Sequence, residues 1–180
     1  MILREFSYEP YELKLKKPLT IANKTILSRS GFLIKIESEN GNVGIGDAAP
    51  FPEFGSESLS ETKTFLFGLK QLLKLKQNKI DVNKLLEYRK NFFMQRASVA
   101  GIEQALLNLL IKENGISLEK YFDVNTKNEI QVNALVGFES LNETISLIEN
   151  FIDEGYKTVK LKIGRDRKST RLNSSHGIIS

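Results

Sequence analysis

Apolar and polar residues alternate along "GFLIKIES" (Gly31–Ser38), a short apolar run follows in "GNVGIGDAAP" (Gly41–Pro50), and between them lies "ENGN". Period-two alternation predicts strands, and an Asn-Gly pair between two such runs predicts a tight turn, so these segments form an antiparallel hairpin. Mixed alternation from Leu3 to Lys17, including "YELKLKK", predicts a further strand that ends at Pro18. "PFPEFGSES" is a loop marked by Pro50, Pro52 and Gly55.

The period then changes to that of a helix. "LSETKTFLFGLKQLLKL" sets Phe65, Leu66, Leu69, Leu72 and Leu73 at helical spacing. Ser56, Ser58 and Ser60 are candidate caps, and "SLSE" offers a capping box from Ser58 to Glu61. Asp81 is a candidate N-cap for "DVNKLLEYRKNFF", and "RASVAGIEQALLNLLIKENG" carries a stripe of Val99, Ile102, Leu106, Leu109 and Leu110 that stops at Gly115. Strands followed by helices make an α+β domain. From Glu129 the order becomes strand ("EIQVNALVG"), helix ("SLNETISLIENFIDEG", with Leu141, Ile145, Ile148, Phe151 and Ile152 on one side) and strand ("YKTVKLKIG"). That order is a βαβ unit, whose strands are parallel and joined by a right-handed crossover.

Composition removes several classes of function. No apolar run approaches the roughly 20 residues that span a bilayer, and Arg4 and Glu5 interrupt the start at once. The absence of cysteine rules out disulfides, thiolate metal sites and a cysteine nucleophile. A cytoplasmic location is the expectation. The net charge of +4 owes three of its units to Arg167, Lys168 and Arg171 in a terminal stretch without acids. The remainder interleaves lysines with acids, as on a solvated surface, and no nucleic-acid signature is present. Neither a nucleic acid nor a membrane is an expected partner.

Within "GYKTVKLKIG" a strand sends Val159, Leu161 and Ile163 to one side and Thr158, Lys160 and Lys162 to the other. On an edge strand such lysines simply deter aggregation. On an internal parallel strand they face an interior, where desolvation and mutual repulsion ease proton loss and make a lysine a usable base. The stretch alone leaves both readings open.

Four segments carry a family likeness. "GNVGIGDAAPFPEFGSES" resembles a G-x-G-E-A-x-P segment and its following loop, and "ASVAGIEQALLNLL" resembles an A-x-x-A-I-E-x-A-L-x-D-L helix. "IQVNALVG" and "GYKTVKLKIGRD" resemble the first two barrel strands, the second with its K-x-K motif. In this order and spacing the chain resembles the N-terminal part of the enolase superfamily, in its muconate-lactonizing subgroup, most closely the o-succinylbenzoate synthases. The departures are Asp47 where the pattern has glutamate and Asn108 where it has aspartate.

The resemblance implies an α+β capping domain over residues 1–125, with a three-stranded antiparallel sheet and helices. The first two strands of a (β/α) TIM-type barrel follow over 126–166. Residues 167–180, "RKSTRLNSSHGIIS", form an anomalous tail that resembles translated vector or adapter sequence, and the chain reads as truncated. A whole barrel takes about 250 residues, so two parallel strands would keep exposed edges and the fragment would be inactive alone. For the full-length protein the resemblance implies Mg2+-dependent proton abstraction α to a carboxylate, then dehydration, in menaquinone biosynthesis. It gives Lys162 the acid/base role, places Lys160 beside it, and leaves the metal carboxylates to strands beyond the second, so no metal ligand is assigned here. In the cap, the loops "TIANKTILSRS" and "PFPEFGSES" would carry specificity, with Arg29 suited to a carboxylate and Phe51 and Phe54 to a ring. His176 has no role. The expected partner is a small carboxylate substrate. The rival readings are a dipeptide epimerase or muconate cycloisomerase with the same lysine, and a non-catalytic cap or binding module.

Overall fold

The structure is a computed structural model. It describes residues 2–21, 24–76, 94–127, 129–137, 139–162 and 177–179, so the helix expected after Asp81 and His176 lie outside the described residues. Two compact units divide the chain, Met1–Val124 and Asn125–Ser180.

The first unit is built on three antiparallel strands in the order β1 (Leu3–Ile21), β2 (Lys24–Ser38) and β3 (Val43–Ala48). The alternation in β2 sends Phe32, Ile34 and Ile36 into the core and leaves Leu33 and Lys35 exposed. Against the inner face lie α1 (Leu59–Leu75), which contributes Leu66 and Leu73, and α2 (Arg96–Asn114), which contributes Ile102, Ala105, Leu106 and Leu109. The capping box is formed: Ser58 and Glu61 bond each other's backbone N–H groups.

The first strand does not stop at Pro18. Its pairing with β2 runs from Leu3↔Ser38 to Ile21↔Lys24, with a register shift between Lys14 and Leu19 that takes up the proline. Because β1 is an edge strand, the missing N–H of Pro18 is no obstacle. "TIANKTILSRS" is therefore largely strand, and Arg29 sits in β2, opposite Leu13, instead of on a loop.

Four contacts hold α2 in place. Gly44 and Gly46 leave room for the helix backbone: a Cβ on Gly46 would collide with the carbonyl of Gly101, and one on Gly44 with that of Ala105. A Cβ on Gly101 would in turn lie 2.8 Å from the backbone of Asp47 and Ala48. Along the open edge of β3, the Asp47 N–H donates to Gln104 (2.8 Å), the Ile45 N–H donates to Asn108 (3.2 Å), and Lys112 donates to the Val43 carbonyl (2.6 Å). Four helical residues rise about 6.0 Å and two strand residues about 6.6 Å, so side chains spaced by four meet backbone groups spaced by two. The third contact is at the helix start. Gln95, at the N-cap, makes no capping bond, and Glu57 supplies it: its carboxylate accepts from Ala97 N–H (3.0 Å), Ser98 N–H (2.7 Å) and the Ser98 hydroxyl (2.7 Å). At the far end Glu113 accepts from Ser38, Asn40 and Asn42 and so ties the β2–β3 turn to the helix. A short helix, α3 (Leu118–Phe122), closes the unit.

In the second unit, β4 (Ala134–Val136) and β5 (Val159–Leu161) pair in parallel and are connected by α4 (Leu141–Asp153), whose start carries a Ser140–Glu143 capping box. Ala134, Val136 and Val159 are buried, with Leu147, Ile148 and Phe151 of α4 packed on them. The apolar face expected of this helix is only partly the packed one: Leu141 is 75% exposed, Ile145 47% and Ile152 59%. Their stripe is rotated by part of a turn from the one packed on β4 and β5. β6 (Gly177–Ile179) pairs antiparallel with β5, so the tail contains a strand and one edge expected to be open is occupied.

Candidate functional site

The lysine pair lies on the strand the spacing indicated. Val159 and Leu161 belong to the cluster packed on α4, so alternation turns Lys160 and Lys162 to the opposite face of the sheet. Lys162 follows β5 directly, and its N–H donates to the Val136 carbonyl at 3.1 Å, which prolongs the parallel pairing by one residue. Leu135, the register partner of Lys160, is 51% exposed on this same face, while Lys160 and Lys162 are both partly buried. The second strand running alongside in the same direction is the feature that distinguishes this arrangement from a lone solvated edge. Lys162 also stands at the C-terminal end of the strand pair, the end at which open and closed α/β sheets place their ligands. A cavity of 620 Å3 occupies the other end, lined by Glu129, Val132, Gly155, Tyr156 and Thr158.

The residues expected to contact substrate in the cap form one cluster within the first unit. The Arg29 guanidinium lies 3.9 Å from the centre of the Phe51 ring and donates to the Ala49 carbonyl at 3.2 Å. Phe51 and Phe54 pack in a tilted pair, 4.9 Å between ring centres and 57° between ring planes. Phe54 is mostly exposed, and a one-turn 3-10 helix over Pro52–Phe54 holds it. Charge surrounds this aromatic pair: Lys24 bonds Glu53 at 3.0 Å, and that hydrogen bond is the main reason the Glu53 carboxyl sits below the usual carboxylate range. Nearby in register, the Tyr11 hydroxyl donates to Asp47 at 2.7 Å. Burial, then that hydrogen bond, push the Tyr11 phenol up to about 12. The Tyr11–Asp47 and Lys24–Glu53 contacts are ones that strand alternation alone does not reveal, because each joins residues far apart in sequence.

Four carboxylates of this unit have structural tasks. Asp47 takes the Tyr11 hydroxyl, Glu53 takes Lys24, Glu57 caps α2 and Glu113 holds the turn. Among the described residues no three groups from His, Cys, Asp and Glu come together as a metal would require. The described residues therefore do not by themselves make a magnesium site.

A three-stranded antiparallel sheet with helices on one face, followed by a parallel β–α–β pair with two lysines on the face away from α4, has the architecture of an enolase-type capping domain and the entry into its α/β domain. The chain is similar to members of the enolase superfamily, and residues 3–90 match the family model described as "MenC, N-terminal domain". It is 30% identical over 164 residues to an o-succinylbenzoate synthase from Listeria innocua, covering 87% of this chain and 42% of that protein. An L-Lys-D/L-Arg epimerase from Desulforapulum autotrophicum is 26% identical over 165 residues, 91% of this chain and 46% of its own length. A crystal structure of an enolase-superfamily member from Listeria innocua superposes with a TM-score of 0.77 at 27% identity, covering 92% of this chain and 45% of that one. The chain thus spans less than half the length of these relatives.

Proposed function

We propose that this chain supplies the capping domain and the first two barrel strands of an o-succinylbenzoate synthase-like lyase, with Lys162 as its acid/base group. The observation that supports the reading best is the parallel β4–β5 pair, with Lys160 and Lys162 on the face away from α4 and Lys162 at its C-terminal end. In the reaction, the neutral amine of Lys162 takes the proton from the carbon α to the substrate carboxylate. The electron pair left behind expels the β-hydroxyl, which takes the proton back from the Lys162 ammonium and departs as water, and aromatisation of the ring supplies driving force. Lys160 adds positive charge beside the enediolate as it forms. Arg29 meets a carboxylate of the substrate, and Phe51 and Phe54 wall its ring. Mg2+ belongs to this reading as a Lewis acid for the carboxylate. The described carboxylates do not gather for it, and the resemblance puts its ligands on later strands.

The second reading is a dipeptide epimerase, favoured by the likeness to the L-Lys-D/L-Arg epimerase over nine-tenths of this chain; a muconate cycloisomerase would use the same lysine. Among the described residues no helix is long and apolar enough to cross a membrane, and the proposed partner is a small carboxylate, not a nucleic acid. The test is to offer the full-length protein carrying this chain a cyclohexadiene carboxylate and a set of dipeptides. Dehydration without epimerisation is expected. Epimerisation without dehydration makes the protein an epimerase, and inertness towards both supports a non-catalytic binding module. The 180-residue chain by itself is expected to turn over neither.

A further inference from the structure

We propose that the outer edge of β5 is a strand-addition site, and that the chain's own Gly177–Ile179 occupies it in the place a third parallel strand would need. The backbone geometry of β5 alone carries this site, independently of the proposed activity. Thr158 offers its carbonyl to the Ala134 N–H at 3.0 Å, and the Lys162 N–H donates to the Val136 carbonyl at 3.1 Å. Backbone groups of successive strand residues point to opposite edges, so the even-numbered residues of β5, 158, 160 and 162, face β4. Val159 and Leu161 therefore direct their N–H and C=O groups to the other edge. There Val159 is opposite Ile179, Lys160 opposite Ile178 and Leu161 opposite Gly177, in antiparallel register. Val159–Ile179 and Leu161–Gly177 are then the pairs that exchange hydrogen bonds, while Lys160–Ile178 is the non-bonded pair between them.

Both edges of β5 are thus in use. Any parallel strand added beyond β5 must take the same Val159 and Leu161 groups, so it can join only by displacing Gly177–Ile179. An unpaired strand edge is a template for association with other chains, and here the chain covers that template with its own residues. Strand addition of this kind draws its affinity from main-chain bonds, which fits an occupant as short and plain as Gly-Ile-Ile.

Amide hydrogen exchange followed by NMR on the whole 180-residue chain tests the assignment. Ile179→Pro removes an N–H that faces β5, whereas Ile178→Pro removes one that faces away. In Ile179→Pro the amides of Val159 and Leu161 should exchange about tenfold faster, the factor lost with one ordinary hydrogen bond. Those of Lys160 and Lys162 should hold their rates, and Ile178→Pro should leave all four unchanged. Unprotected Val159 and Leu161 amides in the unaltered chain would overturn the proposal. So would equal rates in all three proteins, acceleration of all four amides together, or equal effects of the two prolines.

Discussion

Glu57 is the side chain on which the docking of α2 most directly depends. It is 6% exposed, accepts three hydrogen bonds, and stands at the start of a helix whose own N-cap, Gln95, offers nothing. Replacing it by alanine removes a carboxylate from the positive end of the helix dipole and leaves the N–H groups of Ala97 and Ser98 without a partner. A hydrogen bond to a charged group nets about 1.5–3 kcal/mol, and bonds that share one acceptor do not add, so Glu57→Ala should cost about 3 kcal/mol. For a unit of this size that corresponds to a fall in Tm of about 12 °C. Glu57→Gln keeps one acceptor but turns an NH2 group towards the same donors, and should cost about half as much.

The pH dependence separates charge from packing. Burial acts to raise the Glu57 pKa, but the Ser98 hydroxyl and the backbone N–H groups of Ser98 and Ala97 outweigh it, and the carboxyl sits below its ordinary value. A group with a depressed folded pKa stabilises fully above the unfolded value, about 4.3 for glutamate, and loses that stabilisation as pH falls through the folded one. Urea unfolding followed by circular dichroism should therefore show the gap between wild type and Glu57→Gln complete at neutral pH and closing in acid. A Glu57→Ala protein within about 0.5 kcal/mol of wild type, the range of an ordinary surface substitution, would refute the reasoning. So would a gap that does not change with pH.

Two further outcomes follow from the same unit. Gly46→Ala drives a methyl group into the Gly101 carbonyl, which cannot rotate away, and should destabilise by about 3 kcal/mol in the same unfolding assay, the upper part of the range for overpacking. The Tyr11 phenol, pushed up to about 12, should titrate well above a free tyrosine in an ultraviolet titration. Its folded pKa is raised, so its contribution is whole below the unfolded value of about 10 and disappears as pH rises through the folded one. Asp47→Asn should bring the midpoint back towards the unfolded value, since it removes the charge and weakens the bond that hold the proton on.

Local patterns exposed most of the element order. Alternation marked β2, "ENGN" marked its turn into β3, and "SLSE" marked the cap of α1, because each depends on residues a few positions apart. Pro18 misled the reading of β1: whether a proline ends a strand depends on which edge its missing N–H faces, and that is set by β2. The helix α4 shows the same limit. Its apolar residues span two adjoining stripes, and only the neighbouring strands decide that Leu147, Ile148 and Phe151 pack while Leu141 does not. Glu57 and the Gln104–Asn108–Lys112 ladder were invisible for the same reason, since their partners lie far away in sequence. The strand that carries the candidate lysines was legible because it repeats a motif. Arg29 stacking on Phe51 needed the fold, because the strand and the loop meet only once the sheet forms.

Deuterium exchange at the substrate carbon α to the carboxylate, measured for the full-length protein and its Lys162→Ala variant in heavy water, tests the central claim most directly. General acid–base groups contribute about 10²–10⁴-fold, so removing the amine should slow exchange by that order while substrate binding persists. Exchange that continues at the wild-type rate would mean that the proton leaves to some other group, and that the lysines on the face of β5 away from α4 do not perform the chemistry.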